Sequence, residues 1–451
     1  MVRRTFAIAL TISASLLTAA GATAVTGDAA ASTAERTAAA ALPLVNTVSA
    51  QRVHDAYGLS AHPQSGGVST YRNVDAWVKR LHALGASYFR GSYEPGTPGT
   101  VQAIAACRKY GVKWLMSVVP EAGTKPTNQT PAQTRAVVQE VGRNAADVVE
   151  GLEGLNEPNH NRGGGTVPTD WAQIATAHQQ AIWKTARSIP ALSRVPIVGP
   201  SLQTVAAEDS YDPAVTNPLG GPRHYHQLKA AGILQYQNWA GLHSYPDGRT
   251  PARGLANRLR IIDSAYGADY PVWITEWGYH NALATTAGHD PVPESVSASY
   301  ASRGLLALTT DERRMRLVRY ETLNDVDPGV KDQHEANFGL WRVGSNDPAT
   351  WSPKEEVGVM DRILDALRDP GPAYTAKPVN LAVSGPSDLR YVVTRKRSGA
   401  ATLWVWRSLS LWDPAARTPQ TVPTVLVAVS DSAGARTIQV GPRATRLALR
   451  I

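Results

Sequence analysis

Cysteine is nearly absent from this sequence. One residue, Cys107, in 451 excludes a disulfide framework and every multi-cysteine metal site. It lies in the helical pattern from Val101 to Lys109, where a lone thiol reads as a small core residue rather than a nucleophile. No glycine-rich phosphate loop occurs, so no nucleotide cofactor, and no other cofactor, is expected. No segment past the first residues has the apolar length of a membrane span, so membrane insertion is not expected. His224 and His226 fall two apart on a helical pattern and lack the i, i+4 spacing of a helical zinc site, so no metal is expected. The formal charge of +8 would suit an acidic partner, but the basic residues are scattered and no nucleic-acid motif accompanies them. Nucleic acid is therefore not an expected partner, and a monomer is expected. Only 3 Phe stand against 12 Trp, an imbalance that favours flat amphipathic surfaces over a phenylalanine core.

What is present starts with an export pattern. Arg3 and Arg4 precede an apolar run that fades into small residues at Ala22 to Ala24, the layout of a secretion signal over residues 1–31 and of an extracellular product. The two arginines also partly match a twin-arginine signal. Residues 32–47, rich in Ala and Thr, read as a leader or tether. With 43% hydrophobic residues, the remainder can fill one large core and a smaller one.

From 48 to 371, short apolar runs alternate with helical patterns. The runs begin near Ala56, Ser87, Val112, Val149, Pro196, Trp239, Pro271 and Arg316. Eight strand–helix units predict an α/β fold, a (β/α)8 TIM barrel of the kind that usually takes about 250 residues and grows with loop insertions. A doubly wound open sheet is the alternative arrangement of the same units. From 376 to 451 the alternation becomes period two without helices, in runs near Leu389, Ala401, Val422 and Ala444, which predicts a C-terminal antiparallel β-sandwich domain.

In such a barrel, reactive groups stand at the C-terminal ends of the strands. The fourth run ends in Asn156, Glu157, Pro158 and Asn159; the seventh ends in Glu276, Trp277 and Gly278. Glycosidic cleavage needs two carboxyl groups flanking one bond, and strands four and seven can face each other across one mouth. His243 and Tyr245, two apart at the end of the sixth run, share a face. Arg90 lies in the second run.

These strand ends resemble the clan A glycoside hydrolases, retaining (β/α)8 enzymes in which an Asn-Glu pair ends strand four and a second Glu ends strand seven. His243 and Tyr245 resemble the pair found there in family 5, while the Asn-Glu-Pro-Asn run and the appended β-domain look more like family 39. The resemblance covers roughly residues 50 to 370 and is carried by the strand ends alone. It departs from family 5 at the end of strand three, where Val118, Val119 and Pro120 stand in place of a histidine.

The resemblance implies that Glu157 is the acid/base and Glu276 the nucleophile. Asn156 would hold the sugar's 2-hydroxyl, Tyr245 would bond the nucleophile, His243 would orient the site, and Arg90 would support the nucleophile by opposite charge. Trp277 and Trp341 are expected as stacking surfaces for a polysaccharide or oligosaccharide substrate, whereas Trp273, Trp404 and Trp406 are expected inside. An inactive carbohydrate-binding protein on the same fold is the alternative from another class, and a barrel enzyme of unrelated chemistry using Glu321 is a third reading.

Overall fold

The computed structural model describes residues 42–63, 69–118, 129–160, 167–203, 224–286, 288–310, 315–326 and 332–451. The expected signal and most of the tether lie outside the described residues.

Eight parallel strands close into a barrel: Tyr57–Ser60, Tyr88–Tyr93, Lys113–Val118, Val149–Glu153, Ile197–Leu202, Trp239–His243, Val272–Trp277 and Arg316–Arg319, here numbered one to eight. The eighth pairs in parallel with the first, which rules out the open sheet. A helix follows each strand: Val74–Leu84, Pro98–Tyr110, Pro131–Asn144, Trp171–Ser188, His224–Ala230, Leu255–Tyr266, Glu294–Leu308 and Glu355–Leu367. Local chemistry sets these bounds. Thr97 caps the second helix by accepting from the Thr100 N–H, with Pro98 as its first residue and Gly111 closing it at φ 70°. Thr130 and Gln133 form a reciprocal capping box on the third. Cys107 is buried on the second helix, and burial pushes its thiol up to about 12, so it is inert.

The barrel is filled rather than hollow. Tyr88, Leu115, Val198, Trp273 and Val318 form a layer across its lower interior. The Trp273 indole donates to the Tyr88 hydroxyl at 3.1 Å, and the Tyr88 hydroxyl donates to the Ala56 carbonyl at 3.2 Å. Gly58 makes room for that ring, since a Cβ there would sit 2.4 Å from it. Arg316 closes the floor, its guanidinium 4.0 Å from the Trp273 ring centre and its Nη1 2.6 Å from Glu150.

The C-terminal residues form two facing sheets. One contains Val48–Ser49, Leu389–Arg395, Ala401–Arg407 and Thr445–Ala448; the other contains Ala382–Ser384, Val425–Asp431 and Gly434–Val440. Val393, Leu403 and Val405 of the first share a core with Val427, Val429 and Val440 of the second. Pairing is antiparallel except at Val48–Ser49, which joins its edge in parallel. Gly434–Val440 escapes the sequence pattern because Arg436, Thr437 and Gln439 leave too little apolar signal. Leu44–Val45, inside the expected tether, pairs with Val379–Asn380. The sheets dock on the helix Glu294–Leu308, where Arg303 donates to the carbonyls of Leu409 (2.8 Å) and Pro442 (2.5 Å). Trp404 and Trp406 are buried in the main core, as expected of interior residues.

Candidate active site

Above the floor layer the interior turns polar, and its centre is Arg90 on strand two. Nε and Nη2 donate to the two oxygens of Glu153 at 2.6 and 2.9 Å, Nη2 also reaches Asn156 Oδ1 at 2.6 Å, and Nη1 donates to Glu276 Oε1 at 2.6 Å. Burial opposes the charge on Arg90, but the two carboxylates outweigh it and raise its pKa. Glu153 is fully buried and also accepts from the Ser201 hydroxyl, which contacts Thr275 Oγ1 at 2.6 Å. Removing one partner of such a pair costs about 3–5 kcal/mol, because it strands a charge out of water.

Glu276 rises beside this pair. Tyr245 donates to its Oε2 at 2.7 Å, and His243 Nδ1 lies 3.2 Å from the same oxygen and 2.8 Å from Glu157 Oε1. One imidazole nitrogen thus stands between the two carboxylates. Burial pushes the Glu276 carboxyl up, yet its neighbours His243, Arg90 and the Tyr245 hydroxyl more than reverse this against the repulsion of Glu157, and its pKa falls below the ordinary value. Tyr245→Phe therefore raises the Glu276 pKa. We expect the acidic limb of kcat/KM against pH to move upward and kcat/KM to fall about 10- to 100-fold, the loss of one charge-assisted hydrogen bond. An unmoved acidic limb would contradict this arrangement.

Glu157 is placed by its backbone. It takes a φ of 46°, unusual for a residue with a side chain, and its N–H donates to the Ser201 carbonyl at 2.8 Å while its carbonyl accepts from His160 at 3.0 Å. Asn156 forms an isolated bridge to Ser201, so strand five holds the Asn-Glu turn over the mouth. Ligand atoms of Glu157, His243 and Glu276 all lie within 4.8 Å of one another. Arg90 and Tyr245 also engage the Glu276 oxygens, so hydrogen bonding accounts for how closely these groups stand.

Six of the eight expected site residues, Glu157, Glu276, Asn156, Arg90, His243 and Tyr245, thus come together. The two tryptophans do not. Pairing with strands six and eight slips at one place, Leu242 and His243 opposing Ile274 and Glu276, and Leu317 and Arg319 opposing Ile274 and Trp277. Strand seven therefore carries one extra residue near Thr275. Trp273 and Thr275 face inward by alternation, the bulge lets Glu276 follow, and Trp277 is turned out among the helices. There its ring is fully buried against Gly304, where a Cβ would sit 2.6 Å from it. Trp341 is 6% exposed and belongs to the core. Trp273 is interior as expected, but on the inward face.

Of the other residues at the mouth, the sequence offers only Glu321, as the acid of an unrelated barrel chemistry. Glu153 had a signal, a carboxylate within an apolar strand. Glu321, following strand eight, accepts from Tyr71 and from His62 Nε2, the latter at 2.5 Å. Tyr320 and Phe338 pack edge-on to Tyr245 at 5.8 and 5.5 Å, and His289 stacks on it at 4.3 Å while its Nδ1 meets Asp247 at 2.5 Å. Tyr320, half-buried, follows strand eight directly. His224 and His226 diverge, toward Asn159 and Ser264.

The site is thus a closed (β/α)8 barrel with two glutamates at the ends of strands four and seven. Among solved structures, the chain is similar to an endo-β-1,6-glucanase at 11% identity and TM-score 0.53, over 90% of this chain and 92% of that one. It is also similar to a β-glucosidase from Exiguobacterium marinum at 11% identity and TM-score 0.48, over 70% of this chain and 99% of that one. At such identities the likeness is one of fold. No family model matches the sequence, and no curated protein matches it. Among the described residues, no helix is long and apolar enough to cross a membrane.

Proposed function

We propose that this chain is a secreted retaining glycoside hydrolase that cleaves a polysaccharide or oligosaccharide by double displacement. The observation that carries the reading is the pair Glu157 and Glu276, bridged by one His243 nitrogen and offering oxygens within 4.8 Å of each other. That separation suits direct attack by one carboxylate, for which carboxyl groups stand about 5–5.5 Å apart, rather than the wider gap of about 6.5–9.5 Å that admits a water. Glu276, held ionised by Arg90 and Tyr245, attacks the anomeric carbon while Glu157 protonates the departing oxygen. Glu157 then takes a proton from the water that hydrolyses the glycosyl–enzyme ester, returning both carboxyls to their starting states. Asn156, whose Oδ1 accepts from Arg90, would bond the sugar's 2-hydroxyl. The fold likeness to sugar-cleaving barrels supports a carbohydrate substrate.

The test is a panel of aryl glycosides and polysaccharides, followed by proton NMR of the first product formed on the best substrate. The expected product keeps the substrate's anomeric configuration. Initial inversion would refute the mechanism, and no released sugar from any member would refute the activity.

A further inference from the structure

The face of strand two that carries Arg90 continues past it. Tyr88 lies in the floor layer and Arg90 in the catalytic cluster, whereas Phe89 and Tyr93 pack outward, the Tyr93 hydroxyl donating to Glu140 at 3.2 Å. Period-two alternation turns Ser92 toward the mouth above Arg90 and, continued one residue past the end of the strand at Tyr93, assigns Glu94 to the same face. The backbone of Glu94 is fixed: its N–H donates to Thr100 Oγ1 at 3.4 Å, and its carbonyl accepts from the Thr97 hydroxyl at 3.2 Å. The residue is only 7% exposed, and among the described residues no hydrogen bond or ion pair reaches its carboxyl, whose oxygens keep contact with solvent. A carboxyl so nearly desolvated, with no protein partner, can gain from a ligand hydroxyl the bond that water supplies there only in part.

We propose that Glu94 is a substrate-binding residue whose carboxyl holds hydroxyl groups of a neutral sugar unit adjoining the one between Glu157 and Glu276. The inference rests on the hydrolase reading and adds a second point of contact along the glycan. Burial pushes the Glu94 carboxyl up to about 7. Below that pH it carries a proton and both donates and accepts, which matches a hydroxyl; above it, the group becomes a buried anion and loses its donor.

The experiment compares Glu94→Ala and Glu94→Gln with the wild type on an oligosaccharide and on the aryl monoglycoside of the same sugar. Glu94→Ala is expected to raise KM on the order of 10-fold for the oligosaccharide, with a much smaller rise for the monoglycoside and little change in kcat. Glu94→Gln, which keeps a donor and an acceptor, is expected to restore most of that binding and to lack the rise in KM expected of the wild type as pH passes about 7. An oligosaccharide KM unaltered in Glu94→Ala would overturn the proposal. So would an equal loss on both substrates accompanied by a lower Tm. Calorimetric titration of the oligosaccharide into each variant reads the same contact without turnover. Failure of the hydrolase reading would appear as an inactive wild type, failure of this inference as a variant that binds like an active wild type.

Discussion

Glu276→Ala is expected to lower kcat on the order of 10⁵-fold, the scale on which removal of a covalent nucleophile is felt, and added azide is expected to restore turnover of a dinitrophenyl glycoside. The loss corresponds to about 7 kcal/mol of activation free energy. Deleting the carboxylate opens space on one face of the anomeric carbon. Azide attacks there and the dinitrophenolate departs with its electron pair, giving a glycosyl azide of inverted configuration. The variant also leaves Arg90 Nη1 without its 2.6 Å partner, but Glu153 and Asn156 still hold the guanidinium, so the fold survives. Activity within tenfold of the wild type, or an azide product of retained configuration, would remove Glu276 from the nucleophile's role.

Glu157→Ala separates the two half-reactions. A poor leaving group needs the proton that Glu157 supplies, so its glycosides should lose about 10²- to 10⁴-fold in kcat/KM. A dinitrophenyl glycoside needs none. It should still form the glycosyl–enzyme, which then accumulates because no base activates water. Azide, which needs no base, should release it as a glycosyl azide of retained configuration, the opposite outcome to that in Glu276→Ala. The alkaline limb of the pH profile should vanish, since it reports loss of the acid's proton. Equal losses on good and poor leaving groups would instead mean that Glu157 is structural. The two variants together also exclude interchanged roles, because only the assignment made here gives inversion from one and retention from the other.

Much of this site was legible from local pattern. Apolar runs ending in Asn156-Glu157 and in Glu276 marked two strand ends, and the two-residue spacing of His243 and Tyr245 put both on one face. Secondary-structure period and the rule that barrel chemistry sits at strand C-termini require only nearby residues and a count of units. The limits appear where a side chain's role depends on a partner far along the chain. Glu153 reads as an odd acid in a strand until Arg90, 63 positions away, is seen to grip it. His62 and Glu321, 259 positions apart, meet only because the eighth strand closes on the first.

Trp277 shows the same division most plainly. By sequence it follows Glu276 and should share its mouth; in the fold one inserted residue on strand seven keeps Glu276 inward and sends Trp277 into the helix layer. The sequence by itself determined the barrel, the two glutamates and their strand ends, because periodicity and strand-end position are local properties of the chain. Only the tertiary structure decided the distance between the carboxylates, the charge that holds Glu276 ionised and the direction in which each tryptophan points. Those follow from register and closure, and register is set by pairing between segments that no local pattern connects.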